Sequence, residues 1–312
     1  MIKNDERNEI IKAAEQGDAI GQYNLGAMYD YGEGVEQNYW MAEKWYTLAA
    51  KQGDADAQYN LGVMYHKGQG PLENHKTAFK WFTLAADQGH ADAQYNLGFM
   101  FAKGKGVPKN IKTAVNWFTL AAEQGDADSQ YNLGQMYREG KVLPQNDKTA
   151  LSWFARSWYT KAAEQGHSKA QYNLATMYSQ GDGVPVCDKT AAKWFALAAE
   201  QGDPDAQYNL ALMYYRGLGV EKNYKAALMW FSIATQRENA DAQFNLGIMY
   251  ENGHGVQTDY VRAYMWYKLA NNHHSALDEN YRLYINREIT NLSLKMTSAQ
   301  LEKAEGIFFS FF

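Results

Sequence analysis

The chain has 312 residues, a formal net charge of −5, a single cysteine and 14% aromatic residues, with 23 tyrosines and 9 tryptophans. The mildly acidic balance gives no electrostatic reason to expect nucleic acid or anionic lipid as a partner. No run reaches the ~18 apolar residues that span a membrane, and Cys187 alone excludes an internal disulfide framework.

From the N-terminus, Asp5 to Gln16 closes on Ala13-Ala14-Glu15-Gln16-Gly17. That is how the second helix of each later unit ends, so residues 1–17 read as an N-terminal capping half-repeat. The start lacks the apolar stretch of a secretory signal, and a reduced, cytoplasmic protein is expected. The hexapeptide Ala-Gln-Tyr-Asn-Leu-Gly then stands intact at 57–62 and 93–98, and with small changes at 21–26, 129–134, 170–175, 206–211 and 242–247. Gln22, Gln58, Gln94 and Gln130 lie 36 residues apart, and Gln171, Gln207 and Gln243 resume the step after one gap of 41. Self-similarity at this period predicts an all-α solenoid of seven ~36-residue helix pairs over 18–272, one continuous core in which each unit buries its apolar face against its neighbours.

Within the third unit, Ala93, Leu97, Met100 and Phe101 mark the apolar face of a first helix over Ala91–Lys103. The site before that helix holds a residue able to cap in five units (Asp18, Asp54, Asp126, Asp203, Asn239), with His90 and His167 as exceptions. Asp203-Pro204 fixes the register, because proline is favoured at the first helical position. Gly104 and Gly106 end the helix, Val107 to Asn110 forms a loop, and Ala114, Trp117, Phe118, Ala121 and Ala122 predict the second helix. Short connections force each pair antiparallel. The gap of 41 places five extra residues in the fourth unit, within 153–160, where Trp153-Phe154 is echoed by Trp158-Tyr159. Trp158 and Tyr159 are expected at the core site that Trp117 is expected to fill, because Ala162, Ala163 and Gly166 follow at the regular spacing.

Residues 273–312 read as C-terminal capping helices, over 277–290 and again from Met296, with Thr297 or Ser298 as cap. The tail Ile307-Phe308-Phe309-Ser310-Phe311-Phe312 is either an apolar helix face packed on the last repeat or an exposed docking segment.

The recurring Gln-Tyr-Asn-Leu-Gly-x-Met-Tyr, Gly-x-Gly-Val, Lys-x-Ala-x-x-Trp-Phe and Ala-Ala-x-Gln-Gly elements resemble the Sel-one-like repeat, a relative of the tetratricopeptide repeat. The resemblance covers roughly residues 9–270. It implies a right-handed α/α superhelix that serves as a non-catalytic protein-binding scaffold. The lone Cys187 departs from secreted members with a disulfide in each repeat.

Resemblance to the tetratricopeptide fold also puts one face of each first helix on a concave groove. That face carries a tyrosine row (Tyr23, Tyr59, Tyr95, Tyr131, Tyr172, Tyr208, then Phe244) and an asparagine row (Asn24, Asn60, Asn96, Asn132, Asn173, Asn209, Asn245). Asparagine is a mediocre helix former, so seven at mid-helix either bridge neighbouring repeats, satisfy a loop carbonyl, or clasp an extended peptide. The floor positions vary between units (Ala27, Val63, Phe99, Gln135, Thr176, Leu212, Ile248), as do the helix ends (Tyr31, Lys67, Lys103, Arg138, Gln180, Arg216, Asn252). An acidic row, Asp56, Asp92, Asp128, Asp205 and Asp241, complements the helix dipole. Lys169 interrupts it and, with Asn132 and Asn173, resembles part of the carboxylate clamp of some tetratricopeptide proteins, whose other basic members are missing. The partner-binding candidates are therefore Tyr59, Asn60, Tyr95, Asn96, Phe99, Tyr131, Asn132, Arg138, Lys169, Tyr172, Asn173, Tyr208 and Asn209.

No chemistry is expected. The paired glycines follow helices and lack the Gly-Lys-Ser/Thr of a phosphate loop. The seven histidines fall in unlike repeat positions, and His273-His274, the one close pair, points apart in a helix, so neither metal nor cofactor is expected. Cys187 has no obvious activation. The favoured function is a scaffold or adaptor for a protein or extended peptide, without nucleic acid, membrane insertion or catalysis. The alternatives are an RNA-binding helical repeat, which the acidic row opposes, and a bacterial effector or virulence-type interaction protein.

Overall fold

The computed structural model describes residues 4–70, 72–141, 148–237, 239–273 and 279–309. Among them every regular element is helical: seventeen α-helices, a 3-10 turn at Thr235–Arg237, and no strand. The chain divides into two compact units, Met1–Ala162 and Ala163–Phe312.

The first unit contains α1 (Asn4–Glu15), α2 (Ala19–Tyr31), α3 (Tyr39–Lys51), α4 (Ala55–Lys67), α5 (His75–Asp87), α6 (Ala91–Lys103), α7 (Ile111–Glu123), α8 (Ala127–Arg138) and α9 (Lys148–Glu164). Side chains hold the helix starts. Asp18, Asp54 and Asp126 accept from the backbone N–H three residues on at 2.6–2.7 Å, and Asn38, Asn74 and Asn110 do the same for the second helices. His90, expected as an exception, also caps: its Nδ1 accepts from the Ala93 N–H at 3.3 Å, which only a neutral imidazole nitrogen can do. Gly32, Gly68 and Gly104 end α2, α4 and α6 in the left-handed conformation. Gly106, the second glycine of its pair, is also left-handed and is constrained by packing as well. At Gly106 a Cβ would stand 2.5 Å from the carbonyl oxygen of His75, so the loop can pack on the start of the preceding repeat's second helix only without a side chain.

The expected apolar face of α6 is observed, with Ala93, Leu97 and Met100 buried. Gln94 and Gly98 are buried beside them, and neither follows from an apolar pattern. On α7 the core ring is Phe118, fully buried, while Trp117 is half-buried and packs against the adjoining cluster that contains Phe82 and Leu97. Trp117 therefore does not fill the central core site; the ring one residue later does. Burying such a ring contributes roughly 1.5–3 kcal/mol. In α9, Ala155, Tyr159 and Ala162 are fully buried, 41 residues beyond Ala114, Phe118 and Ala121. α9 has 17 residues where α7 has 13, with the extra turn at its N-terminal end. Phe154 is exposed and stacks on Tyr137; the Trp153 side chain lies outside the described residues.

The second unit contains α10 (Ser168–Gln180), α11 (Asp188–Glu200), α12 (Pro204–Arg216), α13 (Tyr224–Ala234), α14 (Ala240–Asn252), α15 (Tyr260–His273), α16 (Glu279–Ser293) and α17 (Ser298–Phe309). His167 caps α10 through Nδ1 at 3.1 Å, as His90 does in the first unit. Alanines 175 and 211 replace the buried glycine of the other repeats. α16 and α17 close the unit: Ile285, Leu292 and Ala304 join Tyr264, Tyr267 and Ala270 of α15 in one core cluster. Thr297 and Gln300 exchange hydrogen bonds as a capping box at the start of α17. Ile307 packs against that cluster and Lys268 lies 5.4 Å from the Phe308 ring; 310–312 lie outside the described residues.

Candidate protein-interaction face

Each candidate side chain stands on a first helix of a repeat. In the first unit the Tyr59 ring lies 5.9 Å from Phe82, Tyr95 lies 5.8 Å from Phe118, and Tyr131 lies 5.9 Å from Tyr159. In the second, Tyr172 and Tyr208 meet Phe195 and Phe231 in the same way. The tyrosine row is thus half-buried against the second helix of its own repeat. Its hydroxyls face onward: the amides of Asn60, Asn96, Asn132 and Asn245, each from the next repeat, favour the ionised phenols of Tyr23, Tyr59, Tyr95 and Tyr208. Burial raises these phenols above their ordinary range, and the acidic row (Asp56, Asp92, Asp128 and Asp241) adds to the rise.

The asparagines are committed too. Asn96, Asn132 and Asn209 each donate to the carbonyl four residues back, on Asp92, Asp128 and Asp205, at 2.8 Å. Asn60 and Asn209 are half-buried, and Asn173 is buried. The asparagines are thus tied within their own helices beside the tyrosine of the preceding repeat, and the floor and helix-end residues present chemistry that varies between repeats. Arg138 is exposed at the end of α8, where its charge opposes the burial that raises the Tyr159 hydroxyl. Lys169 is exposed in the first turn of α10.

Two clefts open between first helices in the first unit. One, of about 480 Å³, has Phe99, Lys103, Lys109, Asn132, Gln135 and Lys141 among its lining. The other, of about 280 Å³, occupies the corresponding place two repeats earlier and includes Tyr31, Gln37, Tyr59, Asn60, Val63 and Lys67. Phe99 and Asn132 thus share a cleft, as do Tyr59 and Asn60. In the large cleft Gln135 donates to the Tyr131 hydroxyl at 2.6 Å.

The glutamine present in all seven repeats is absent from this face. Gln94 is buried, donates to the Ala86 carbonyl at 3.2 Å and accepts from Gln124 at 2.8 Å. Its recurrence in every unit is the one sequence signal that could have flagged it. Among the described residues no group of three or more His, Cys, Asp or Glu could hold a metal ion. His66 and His75 do form a close pair that the sequence does not suggest, their rings 5.0 Å apart and both Nδ1 atoms buried without a hydrogen-bond partner. The expected pair His273-His274 lies outside the described side chains. Cys187 sits just before α11 with Thr190 Oγ1 at 3.1 Å from its sulfur, and that bond lowers the thiol below its ordinary range. No helix among the described residues is long and apolar enough to cross a membrane.

Seven consecutive segments, 19–54, 55–90, 91–126, 127–167, 168–203, 204–239 and 240–274, match the Sel1 repeat. The chain belongs to the Sel1 repeat family. Among solved structures it is similar to a Sel1 repeat protein from Oxalobacter formigenes, 32% identical over 93% of this chain and 80% of that one, with a TM-score of 0.67. It is also similar to a protective antigen of uropathogenic Escherichia coli displaying an SLR fold, 30% identical over 97% of this chain and 70% of that one, with a TM-score of 0.62. No curated protein matches the chain. Sel1 repeat proteins commonly mediate protein–protein interaction and are typically non-catalytic, and the family fold suggests protein partners.

Proposed function

We propose that this Sel1 repeat protein is a non-catalytic scaffold or adaptor that binds a protein, or an extended peptide, along the exposed face of its first helices. The candidates for contact are Tyr59, Asn60, Tyr95, Asn96, Phe99, Tyr131, Asn132 and Arg138 in the first unit, and Lys169, Tyr172, Tyr208 and Asn209 in the second, where Asn173 is buried and supports its neighbours. One observation carries the reading. Residues whose identity changes from repeat to repeat (Val63, Phe99, Gln135) line open clefts, while the constant tyrosines and asparagines beside them are engaged with the fold. Clefts in which constant residues held by the fold stand beside residues that differ from repeat to repeat suit selection of one partner.

The test is affinity capture from the source cell by the intact protein and by a Val63→Glu/Phe99→Ala/Gln135→Ala variant, with mass spectrometry of what is retained. All three positions are half-buried, so circular dichroism and melting confirm that the variant folds. A partner held by the intact protein and lost from the folded variant supports the reading. A partner held equally by both overturns it for this face.

A further inference from the structure

We propose that the cleft between the third and fourth repeats recognises an acidic side chain of the bound peptide, an inference that rests on the peptide-binding reading above. Phe99, Ile111 and Met136 contribute apolar lining, and Lys103, Lys109 and Lys141 stand exposed around them. Glu139 is the one carboxylate in the lining and is ion-paired with Lys141. Three lysines against one glutamate leave a formal charge of +2 in this cleft, on a chain whose net charge is −5.

The charge is not a property of the repeat. In the corresponding cleft two repeats earlier, Tyr31, Gln37 and Gln69 stand where Lys103, Lys109 and Lys141 stand here, and Lys67 faces Asp30, so the lining is formally neutral. Gln37 there is tied down, donating to the Asp30 carbonyl and the Tyr39 hydroxyl. Lys109 holds the same loop position, its Cβ beside the Gly104 cap, and offers an ammonium instead. Lys103 lies 6.0 Å from the centre of the Phe99 ring, which leaves its donors available to a second acceptor. A carboxylate on a short apolar stem matches this arrangement: the stem lies on the Phe99 ring, and the oxygens accept charge-assisted hydrogen bonds from Lys103 and Lys109. A cleft of this size holds one or two residues, so the occupant is a glutamate or aspartate beside an apolar neighbour within an extended chain.

The experiment uses the full chain and two synthetic peptide pools of the same apolar and aromatic composition, one carrying glutamate at a fixed central position and the other glutamine. Binding is followed by fluorescence anisotropy at low and high salt. The glutamate pool is expected to bind at least about tenfold more tightly at low salt, with the advantage shrinking as salt rises and disappearing in a Lys103→Gln/Lys109→Gln variant. Both lysines are exposed, so that variant should melt with the wild type. Equal binding of the two pools overturns this proposal and leaves peptide binding standing. Binding of neither pool also overturns it, while partner capture through Phe99 tests the broader reading separately. A homopolymeric RNA that competes more strongly than the glutamate pool, in a lysine-dependent way, would reassign the cleft to phosphate.

Discussion

The side-chain amide of Gln52 donates to the side-chain carbonyl of Gln22 at 2.9 Å, across the two helices of the first repeat. The same pair recurs as Gln88 with Gln58 and Gln124 with Gln94, both at 2.8 Å, and in the second unit as Gln201 with Gln171 at 2.7 Å. Each first-helix glutamine also donates backward: Gln22 to the Ala14 carbonyl, Gln58 to Ala50, Gln94 to Ala86, Gln171 to Ala163 and Gln207 to Ala199. One buried amide therefore ties three helices, the last of one repeat and both of the next. This fixes the step between repeats without a large side chain, because the bonded groups are satisfied only at one relative position.

Replacing Gln94 by Leu keeps roughly the volume but removes both bonds, leaving the Ala86 carbonyl with the Gly89 N–H alone and the Gln124 amide with the Gly89 carbonyl alone. The expected cost is about 1–3 kcal/mol, read as a lower urea midpoint with an unchanged slope. Asn96→Ala should cost less, within about 1 kcal/mol, because alanine is the better helix former and the Asp92 carbonyl keeps its helical partner. Equal losses for the two variants would show that Gln94 has no special role in stacking.

Gly98 meets the Phe118 ring so closely that a Cβ would stand 2.7 Å from it, and Gly62 meets Phe82 at 2.5 Å. Yet Ala175 and Ala211 occupy the equivalent positions in the second unit, fully buried. The ring can evidently move aside for one methyl. Gly98→Ala should lie within about 1 kcal/mol of wild type, the gain in helix propensity offsetting the shift. Gly98→Leu should lose about 1–3 kcal/mol by overpacking. A Gly98→Ala variant as unstable as Gly98→Leu would mean that the repeats carrying Ala175 and Ala211 pack their rings differently from the repeats with glycine.

Deleting Ala155 to Tyr159 rejoins Phe154 to Thr160 and restores the regular period. Ala150 and Phe154 would then fall where Ala155 and Tyr159 now lie, with Phe154 facing Gly134 as Phe118 faces Gly98. The deleted protein should fold, with helicity reduced by about one turn and a melting temperature within a few degrees of wild type. Failure to fold would show that the longer α9 is required by its surroundings. If it folds and the captured partner still binds, the extra turn has no part in recognition.

The aspartate caps and the Leu97–Met100 face are legible in the sequence because each depends on residues within about one turn of each other, and the period and helix order because that local pattern recurs 36 residues on. The role of Gln94 is not, since its partners lie 8 residues back and 30 ahead. Trp117 and Phe118 are adjacent, and only the packing of neighbouring helices decides which ring enters the core. His90 and His167 cap through an imidazole nitrogen whose capacity to accept depends on tautomer, which residue type alone does not show. The lysine-lined cleft escapes for a further reason: Lys103, Lys109 and Lys141 come from a helix end and two loops, at unlike positions of the repeat.

His66 and His75 provide the last prediction. Burial is the main force holding His66 below its ordinary pKa near 6.5; the neighbouring His75, Lys105 and Lys67 act the same way, and Glu73 opposes them. His75 in turn has its Nε2 at 3.1 Å from Glu73. Because the folded state holds the His66 proton less tightly than the unfolded chain, its contribution to stability is fully present above about pH 6.5. As pH falls below that value the unfolded state gains the proton first, and the contribution is lost down to the lowered folded pKa. Urea unfolding between pH 7.5 and 5 should therefore show a decline that is shallower in His66→Phe, which fills the site beside Phe82 without a titrating group. The comparison is restricted to this window because Asp30 and Asp205, both raised by burial, respond in the opposite direction in the acidic range. If His66→Phe loses stability with falling pH as steeply as wild type, protonation of this histidine is not what weakens the fold.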